Sequence, residues 1–140
     1  MIIYEHMLVG LTVSVLLICL GLIIGAMRKA SAVLGSKPRK HQTFTSMHNT
    51  QETLKAIVRF AQQAGYKIPA IDESKGQLVL EESPTLTTWG FFFPISVSRQ
   101  IDNTALIEVG IKSKAIQVGP IVSRRLENCV NGIKAMLFTM

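Results

Sequence analysis

The chain has 140 residues, 48% of them hydrophobic, and a formal net charge of +6. This length allows one small domain with an additional segment, and it excludes a large enclosed active site. Five of the cations lie between Arg28 and Lys40 with no acid among them, whereas the chain from Glu52 onward carries a net charge of only +2. Nucleic-acid binding is therefore not indicated, because it would require a basic patch on the folded part.

The N-terminal region contains an apolar run, Met7 to Met27, of 21 residues without a charge. As a helix this run would span about 31 Å, which matches the hydrocarbon core of a bilayer. A cleaved signal peptide would carry positive charge before a shorter apolar core, but Glu5 is the only charged residue here. A buried helix of a soluble protein rarely runs this long without a charge. Residues 1–27 are therefore predicted to be an uncleaved, single-pass transmembrane anchor.

Residues 28–46 are predicted to be a basic juxtamembrane linker. The positive-inside rule places the C-terminal domain in the cytoplasm, at a plasma or thylakoid membrane. Near anionic lipid headgroups, each basic residue contributes about 1 kcal/mol to membrane binding. The predicted membrane-surface residues are Arg28, Lys29, Lys37, Arg39 and Lys40.

The apolar run also contains a GxxxG pattern, formed by Gly21 and Gly25. Small residues at this spacing let two transmembrane helices approach closely. The pattern also arises by chance in apolar segments. If it is an interface, the partner is a second copy of the chain, giving a homodimer, or a helix of another membrane protein.

Residues 47–140 are predicted to form an α+β domain of order αβββα. A helix is expected from Thr50 to Ala64, because Asn49 and Glu52 suit a capping box and Gly65 suits a helix end. Apolar residues at helical spacing predict a second helix over residues 121–137. Pro120 suits the first turn of that helix.

Three strands are predicted between the helices, at residues 77–82, 89–98 and 103–114, with a short extended piece at 68–71. Their short connections imply an antiparallel sheet. Both helices must bury an apolar stripe, and the simplest arrangement packs them together on one face of the sheet.

The stretch "WGFFFP" lies in the second predicted strand. Strand alternation places Trp89, Phe91 and Phe93 on the core face, and Phe92 and Pro94 on the face that the helices leave open. Phe92 and Pro94 are therefore predicted to form a partner-binding surface. Pro94 cannot donate a backbone hydrogen bond, so it is expected at an edge or a bulge.

The sequence contains no pattern typical of catalysis, and we expect no enzyme, cofactor or metal site. His6 is expected on the far side of the membrane, and His41 and His48 lie in or near the predicted linker. No acid cluster accompanies them, and no nucleotide-binding motif is present. Cys129 lies on the inner stripe of the last helix and is expected to be a packed, inert thiol. The basic residues of that helix suit a solvated face, lipid phosphates or an acidic partner, and they are Arg124, Arg125 and Lys134.

Two segments of the domain carry a family resemblance, "LKAIVRFAQQAGYKIPAIDESKGQLVLE" and "ALIEVGIKSKAIQVGPIVSRRLENCVNGIKAML". They resemble small αβββα domains of membrane-anchored bacterial proteins of unassigned function, including cyanobacterial ones. The resemblance implies a non-enzymatic accessory protein.

The first hypothesis is thus a membrane-anchored accessory or assembly protein that binds a membrane protein complex as well as membrane lipids. The second is a tethered domain that binds a lipid or another hydrophobic ligand. An enzyme acting on a lipid or a peptide is the third, and the sequence offers no residues for it.

Overall fold

The fold begins with one long helix, α1, from Ile2 to Val33. The computed structural model describes residues 2–85, 89–114 and 119–140, and for residues 23–32 the backbone only. The part of α1 from Ile2 to Leu22 is long and apolar enough to cross a membrane, as a signal sequence also is, and the rest of the chain does not bury it. The helix extends six residues beyond Met27, which adds about 9 Å to its length.

Strand β1, His41–Ser46, lies inside the segment that was predicted to be a linker. It pairs antiparallel with β5, Ala105–Gly110, in a register that sets Thr43 opposite Glu108. Threonine and phenylalanine favour strands, but six residues with a single apolar side chain give a weak local pattern. The unstructured connection is therefore shorter than predicted, since it runs only between Val33 and His41.

The two helices of the domain form where they were expected. Helix α2 spans Thr50–Ala64, and the Asn49 side chain accepts a hydrogen bond of 2.8 Å from the backbone N–H of Glu52. Gly65 ends the helix at a φ of 82°, a left-handed conformation that favours glycine. Helix α3 spans Pro120–Phe138 and begins with its proline in the first turn.

The sheet is antiparallel, as predicted, but the described part of the chain contributes six strands to it. The strands not yet named are β2 (Lys67–Asp72), β3 (Gln77–Glu81), β4 (Phe91–Arg99) and β6 (Lys112–Ser113). Their order in the sheet is β1-β5-β4-β3-β2, and β6 pairs with β4. The short extended piece predicted at 68–71 is thus the core of β2, an edge strand.

β6 continues the pairing of β5 along β4 after an interruption. Ile95 pairs with Val109, and further along the same register Phe92 pairs with Lys112. Pro94 falls at the gap, where a residue without a backbone N–H does the least damage to the ladder. The expectation that Pro94 marks an edge is therefore wrong, because β4 is a central strand.

The main core lies between the sheet and the two helices, which share one sheet face as predicted. Phe91, Phe93, Ile95 and Val97 are buried on that face of β4. The facing residues of α2 and α3 are also buried, and they are Leu54, Ala56, Ile57, Phe60, Ala61, Leu126, Cys129, Val130, Ile133 and Leu137.

Trp89 does not belong to this core, so its predicted place there is wrong. It is 68% exposed and precedes β4, which begins at Phe91. Gly90 separates them at a φ of 90°, and a Cβ at Gly90 would lie 2.4 Å from the carbonyl oxygen of Glu82. Because the backbone leaves the extended conformation at Gly90, strand alternation cannot be carried back to Trp89.

Gly132 lies where α3 crosses α2. A Cβ at this position would lie 2.3 Å from Cε2 of Phe60, whose ring also packs against Tyr66 with 5.5 Å between centroids. Glycine usually weakens a helix interior by about 1 kcal/mol relative to alanine. Here it allows the two helices to pack with Phe60 between them.

We therefore expect Gly132→Ala to destabilise the domain by about 1–3 kcal/mol, because overpacking outweighs the gain in helix propensity. Urea unfolding of the full chain in detergent micelles measures this free energy. Combining Gly132→Ala with Phe60→Leu should recover part of the loss, whereas Asn131→Ala, on the exposed side of α3, is the control. A Gly132→Ala chain as stable as the control would contradict this packing argument.

Candidate functional site

Val33, the last residue of α1, packs on the sheet face opposite to α2 and α3. Val33 and Phe92 are each 3% exposed, and Val79 of β3, which belongs to the same cluster, is fully buried. Leu34 and Ala70 cover the margin of this second apolar cluster. The helix that carries the apolar run is therefore joined to the domain by packed side chains as well as by the chain itself.

The segment after α1 follows the same face of the sheet. The N–H of Ser36 donates to the carbonyl oxygen of Val33 over 2.9 Å and closes the end of the helix. Pro38 then lies against Gly110, where a Cβ would approach its Cδ to 2.6 Å and Cγ of Pro94 to 3.3 Å. Gly110 thus lets this segment lie flat on the sheet.

These contacts correct the interpretation of Phe92 and Pro94 as an open surface. Both residues are on the predicted face, but both are buried, Phe92 beneath Val33 and Pro94 beside Gly110 and near Pro38. The local pattern could not reveal this, because the residues that cover them belong to the supposed linker. The sheet face that was predicted to bind a partner is covered at these positions by Val33 and Pro38 of the same chain.

The cations of the juxtamembrane segment differ in their surroundings. Lys37 Nζ lies 3.3 Å from Glu108 Oε1, which is an ion pair on the outer sheet face. Arg39 and Lys40 are exposed, and the N–H of Ile111 donates to the carbonyl oxygen of Lys40 over 3.2 Å. The backbone of this basic segment is thus held at the start of β6.

The remaining predicted site residues lie on α1. A Cβ added to Gly21 would have no atom from another part of the described chain within 4 Å, so the surface there is free for a neighbouring helix. Arg28 and Lys29 lie on the helical backbone of α1, as does Gly25. Their surroundings fall outside the described residues, and their predicted roles stay predictions.

A polar cluster that the sequence did not suggest lies between the end of β3 and α3. Arg125 Nη1 is 2.9 Å from Glu82 Oε1, and the second carboxylate oxygen of Glu82 is buried without a hydrogen-bond partner among the described residues. Arg125 was predicted to lie on a solvated face or to contact lipid phosphates or an acidic partner, and its pairing with Glu82 of the same chain was not predicted. The sequence did not indicate which of the two adjacent acids, Glu81 or Glu82, pairs with Arg125. Glu81 forms an ion pair with Lys114 instead.

Two further titratable groups lie near Glu82. Burial raises the pKa of the Tyr66 phenol far above its ordinary range, and the negative charges nearby add to the effect. Burial, and to a smaller extent the charge of Glu82, also raises the pKa of the Cys129 thiol to about 12. A thiol of this kind remains protonated and is a poor nucleophile, so the arrangement is typical of packing and not of catalysis.

The described surface also carries open grooves, and two of them lie at the two edges of the sheet. One of about 530 Å³ runs between α2 and β2, and Leu54, Val58 and Ile71 line its apolar part. At the other edge of the sheet, His48 follows β1 and connects it to α3, since its Nε2 donates to the carbonyl oxygen of Leu137 over 3.1 Å. Within residues 2–85, 89–114 and 119–140, no group of three or more His, Cys, Asp or Glu is placed to hold a metal ion.

Comparison with known proteins supports the fold alone. No family model matches the chain, and no curated protein matches it. The crystal structure of Ara h 8.0201 is similar, with a TM-score of 0.51 and 12% sequence identity, over 69% of this chain and 92% of that one. This likeness fits a fold in which helices pack against an antiparallel sheet.

The burial of Phe92 generates a prediction about stability. We expect Phe92→Ala to destabilise the domain by about 3–5 kcal/mol, because it leaves a cavity beneath Val33. Urea unfolding of the full chain in micelles checks this, with Phe138→Ala, at a 91% exposed position, as the matched control. Val33→Ala should couple to Phe92→Ala in a double-mutant cycle. Equal stability of the two phenylalanine variants would mean that α1 does not cover the sheet.

The Cys129 thiol is expected to be unreactive in the folded chain. In a Cys19→Ser variant it is the sole thiol, and at pH 8 burial keeps it protonated because its pKa is raised. Ellman's reagent should therefore label it only after denaturation.

Because folding raises the pKa of the Cys129 thiol from 9.0 to about 12, Cys129 should lower the free energy of unfolding as the pH rises above 9, relative to Cys129→Ala. Rapid labelling of the native chain by Ellman's reagent would contradict the burial of the Cys129 thiol on which both expectations depend.

Proposed function

We propose that the protein is a single-pass membrane protein with a cytoplasmic α+β domain, and that it serves as an accessory or assembly factor for a membrane protein complex. The observation that carries the proposal is α1. Its apolar part is exposed along its described length, and its last residue, Val33, is packed on the domain. A helix with an uncovered apolar surface of this length is best accommodated in a bilayer.

The short distance between the apolar run and the domain supports a partner at the membrane. Val33 lies six residues beyond Met27, and this helical length corresponds to about 9 Å. A domain on a long flexible linker could sample targets far from the bilayer. A domain packed on the end of its own anchor reaches only molecules at the membrane surface, and a membrane protein complex meets that condition.

The cytoplasmic orientation rests on charge. The five cations that follow the apolar run have no counterpart before it, where Glu5 is the only charged side chain. This asymmetry favours retention of the C-terminal side in the cytoplasm. A homodimer through Gly21 and Gly25 is compatible with this orientation, because two parallel helices would carry both domains on the same side.

Binding of a lipid or another hydrophobic ligand inside the domain remains the second hypothesis. In the described part of the chain, fully buried side chains occupy the space between sheet and helices, including Phe91, Phe93, Ile107 and Ile133. A ligand there would have to move these side chains apart. Native mass spectrometry of the detergent-purified chain distinguishes the two hypotheses, because a bound lipid would add a discrete mass.

The experiment that tests the proposed function is affinity purification of the tagged full chain in mild detergent. We expect a membrane protein partner in stoichiometric amount, since the domain is confined to the membrane surface. A matched chain in which residues 2–27 are replaced by an unrelated apolar helix separates tethering from recognition. If that chain recovers the same partner, the domain makes the contact; if it recovers none, α1 does.

Two controls accompany the purification. The chain should stay with the membrane fraction in alkaline carbonate, and protease added outside intact cells should leave the domain uncut. Extraction by carbonate would refute the transmembrane anchor, and external digestion would refute the cytoplasmic orientation. Recovery of no stoichiometric membrane partner would refute the accessory function.

A further inference from the structure

Trp89 is the only tryptophan of the chain, and the packing of the domain does not use it. Its side chain is 68% exposed, although the backbone of the next residue, Gly90, is in contact with two other parts of the chain. The Gly90 Cβ position is crowded by Glu82, and the N–H of Lys114 donates to the carbonyl oxygen of Gly90 over 3.3 Å. A large side chain with an apolar body and one N–H donor is suited to a membrane–water interface.

Trp89 also lies near the point where α1 reaches the sheet. Phe92, three residues further along, is buried against Val33, and three extended residues span at most about 10 Å. Val33 in turn is about 9 Å along the helix from the end of the apolar run. This corner of the sheet, at the Phe92 end of β4, is therefore the part of β4 closest to α1.

The charges around this corner are unbalanced. Lys37 and Lys114 are neutralised by Glu108 and Glu81, which are the acids of the neighbouring strands. Three further cations, Arg39, Lys40 and Lys112, are exposed and form no ion pair with the described residues.

The backbone brings these three cations together. Lys112 pairs with Phe92 across the sheet, and the hydrogen bond from Ile111 to Lys40 holds the basic segment beside it. The same end of the sheet thus carries the exposed indole of Trp89 and three cations that form no ion pair with the described residues.

We propose that this corner, formed by Trp89, Arg39, Lys40 and Lys112, is a second membrane contact that binds anionic lipid headgroups. The indole of Trp89 enters the interface and the three cations lie against phosphates. The inference rests on the proposed function in one respect, since it requires α1 to cross the bilayer. It goes beyond that function by fixing which side of the domain faces the membrane.

Anionic headgroups suit this surface better than an acidic protein does. Exposed cations near such headgroups contribute about 1 kcal/mol each without a shaped pocket. Attraction between exposed charges is screened over about 8 Å at physiological ionic strength, so these cations act on headgroups only because the anchor holds the domain at the bilayer. The arrangement would hold the outer sheet face towards the membrane and leave α2 and α3 towards the cytoplasm.

The single tryptophan allows a direct test with the full chain in vesicles. In phosphatidylcholine vesicles containing phosphatidylserine, Trp89 emission should be blue-shifted, quenched by lipids brominated near the headgroup, and protected from acrylamide by roughly twofold or more compared with neutral vesicles. The control chain carries Trp89→Phe and Ile101→Trp. Ile101 is fully exposed in the turn at the far end of β4, about 30 Å away, and its indole should stay in water.

A second variant tests the charges. Replacing Arg39, Lys40 and Lys112 by serine removes three exposed side chains, and it should abolish the difference between anionic and neutral vesicles while leaving the circular dichroism spectrum unchanged. Acrylamide quenching of Trp89 equal to that of the Ile101→Trp control would overturn the inference. Equal protection in neutral and anionic vesicles would overturn its lipid specificity.

Flotation of the same samples distinguishes this inference from the proposed function. If the chain floats with vesicles and resists carbonate but Trp89 remains in water, the second contact is absent and the anchor stands. If the chain does not float, the transmembrane anchor itself fails.

Discussion

The packing of Val33 on Phe92 and Val79 is the contact on which the arrangement of the molecule depends. It joins a helix with an exposed apolar surface to a domain that otherwise has a core of its own. Without it, α1 would be a tether, and the sheet would expose an apolar face of β3 and β4 to water. With it, the long helix and the domain are connected by buried side chains.

Strand β4 makes this double role possible, because it is buried on both faces. Phe91 and Phe93 point towards α2 and α3, whereas Phe92 points towards α1. Three consecutive phenylalanines in a strand are thus divided between two clusters, as the two-residue period of a strand requires. A strand covered on only one face would show alternation of apolar and polar residues, and β4 shows it only from Ser96 onward, beyond the cover that α1 and Pro38 provide.

The charged residues at this end of the domain also fall into two groups, those in ion pairs within the chain and those exposed without a partner among the described residues. Glu82 with Arg125 and Glu81 with Lys114 join the end of the sheet to α3 and to β6. Ion pairs of this kind contribute little when they are exposed, and they matter more as water is excluded. The half-buried positions of these pairs indicate that they hold the end of the domain together, while Arg39, Lys40 and Lys112 remain available to an external anion.

The sequence by itself determined the elements whose signals are local. The uncharged run of α1, the Asn49 and Gly65 ends of α2, and the alternation of β4 and β5 each depend on residues within a few positions of one another. Helix α3 and the shared packing of both helices on one sheet face also followed from such patterns. The structure confirmed these predictions because burial of an apolar stripe leaves few alternatives.

Only the tertiary structure decided what covers each face. β1 is a strand because it pairs with β5, which lies far along the chain. Its own six residues carry too few apolar side chains to predict that pairing. The burial of Phe92 and Pro94 depends on Val33 and Pro38, and the exposure of Trp89 depends on a backbone turn at Gly90. In each case the decisive contact is long-range, so no local periodicity records it, and the residues that looked most available for a partner are those that the chain itself covers.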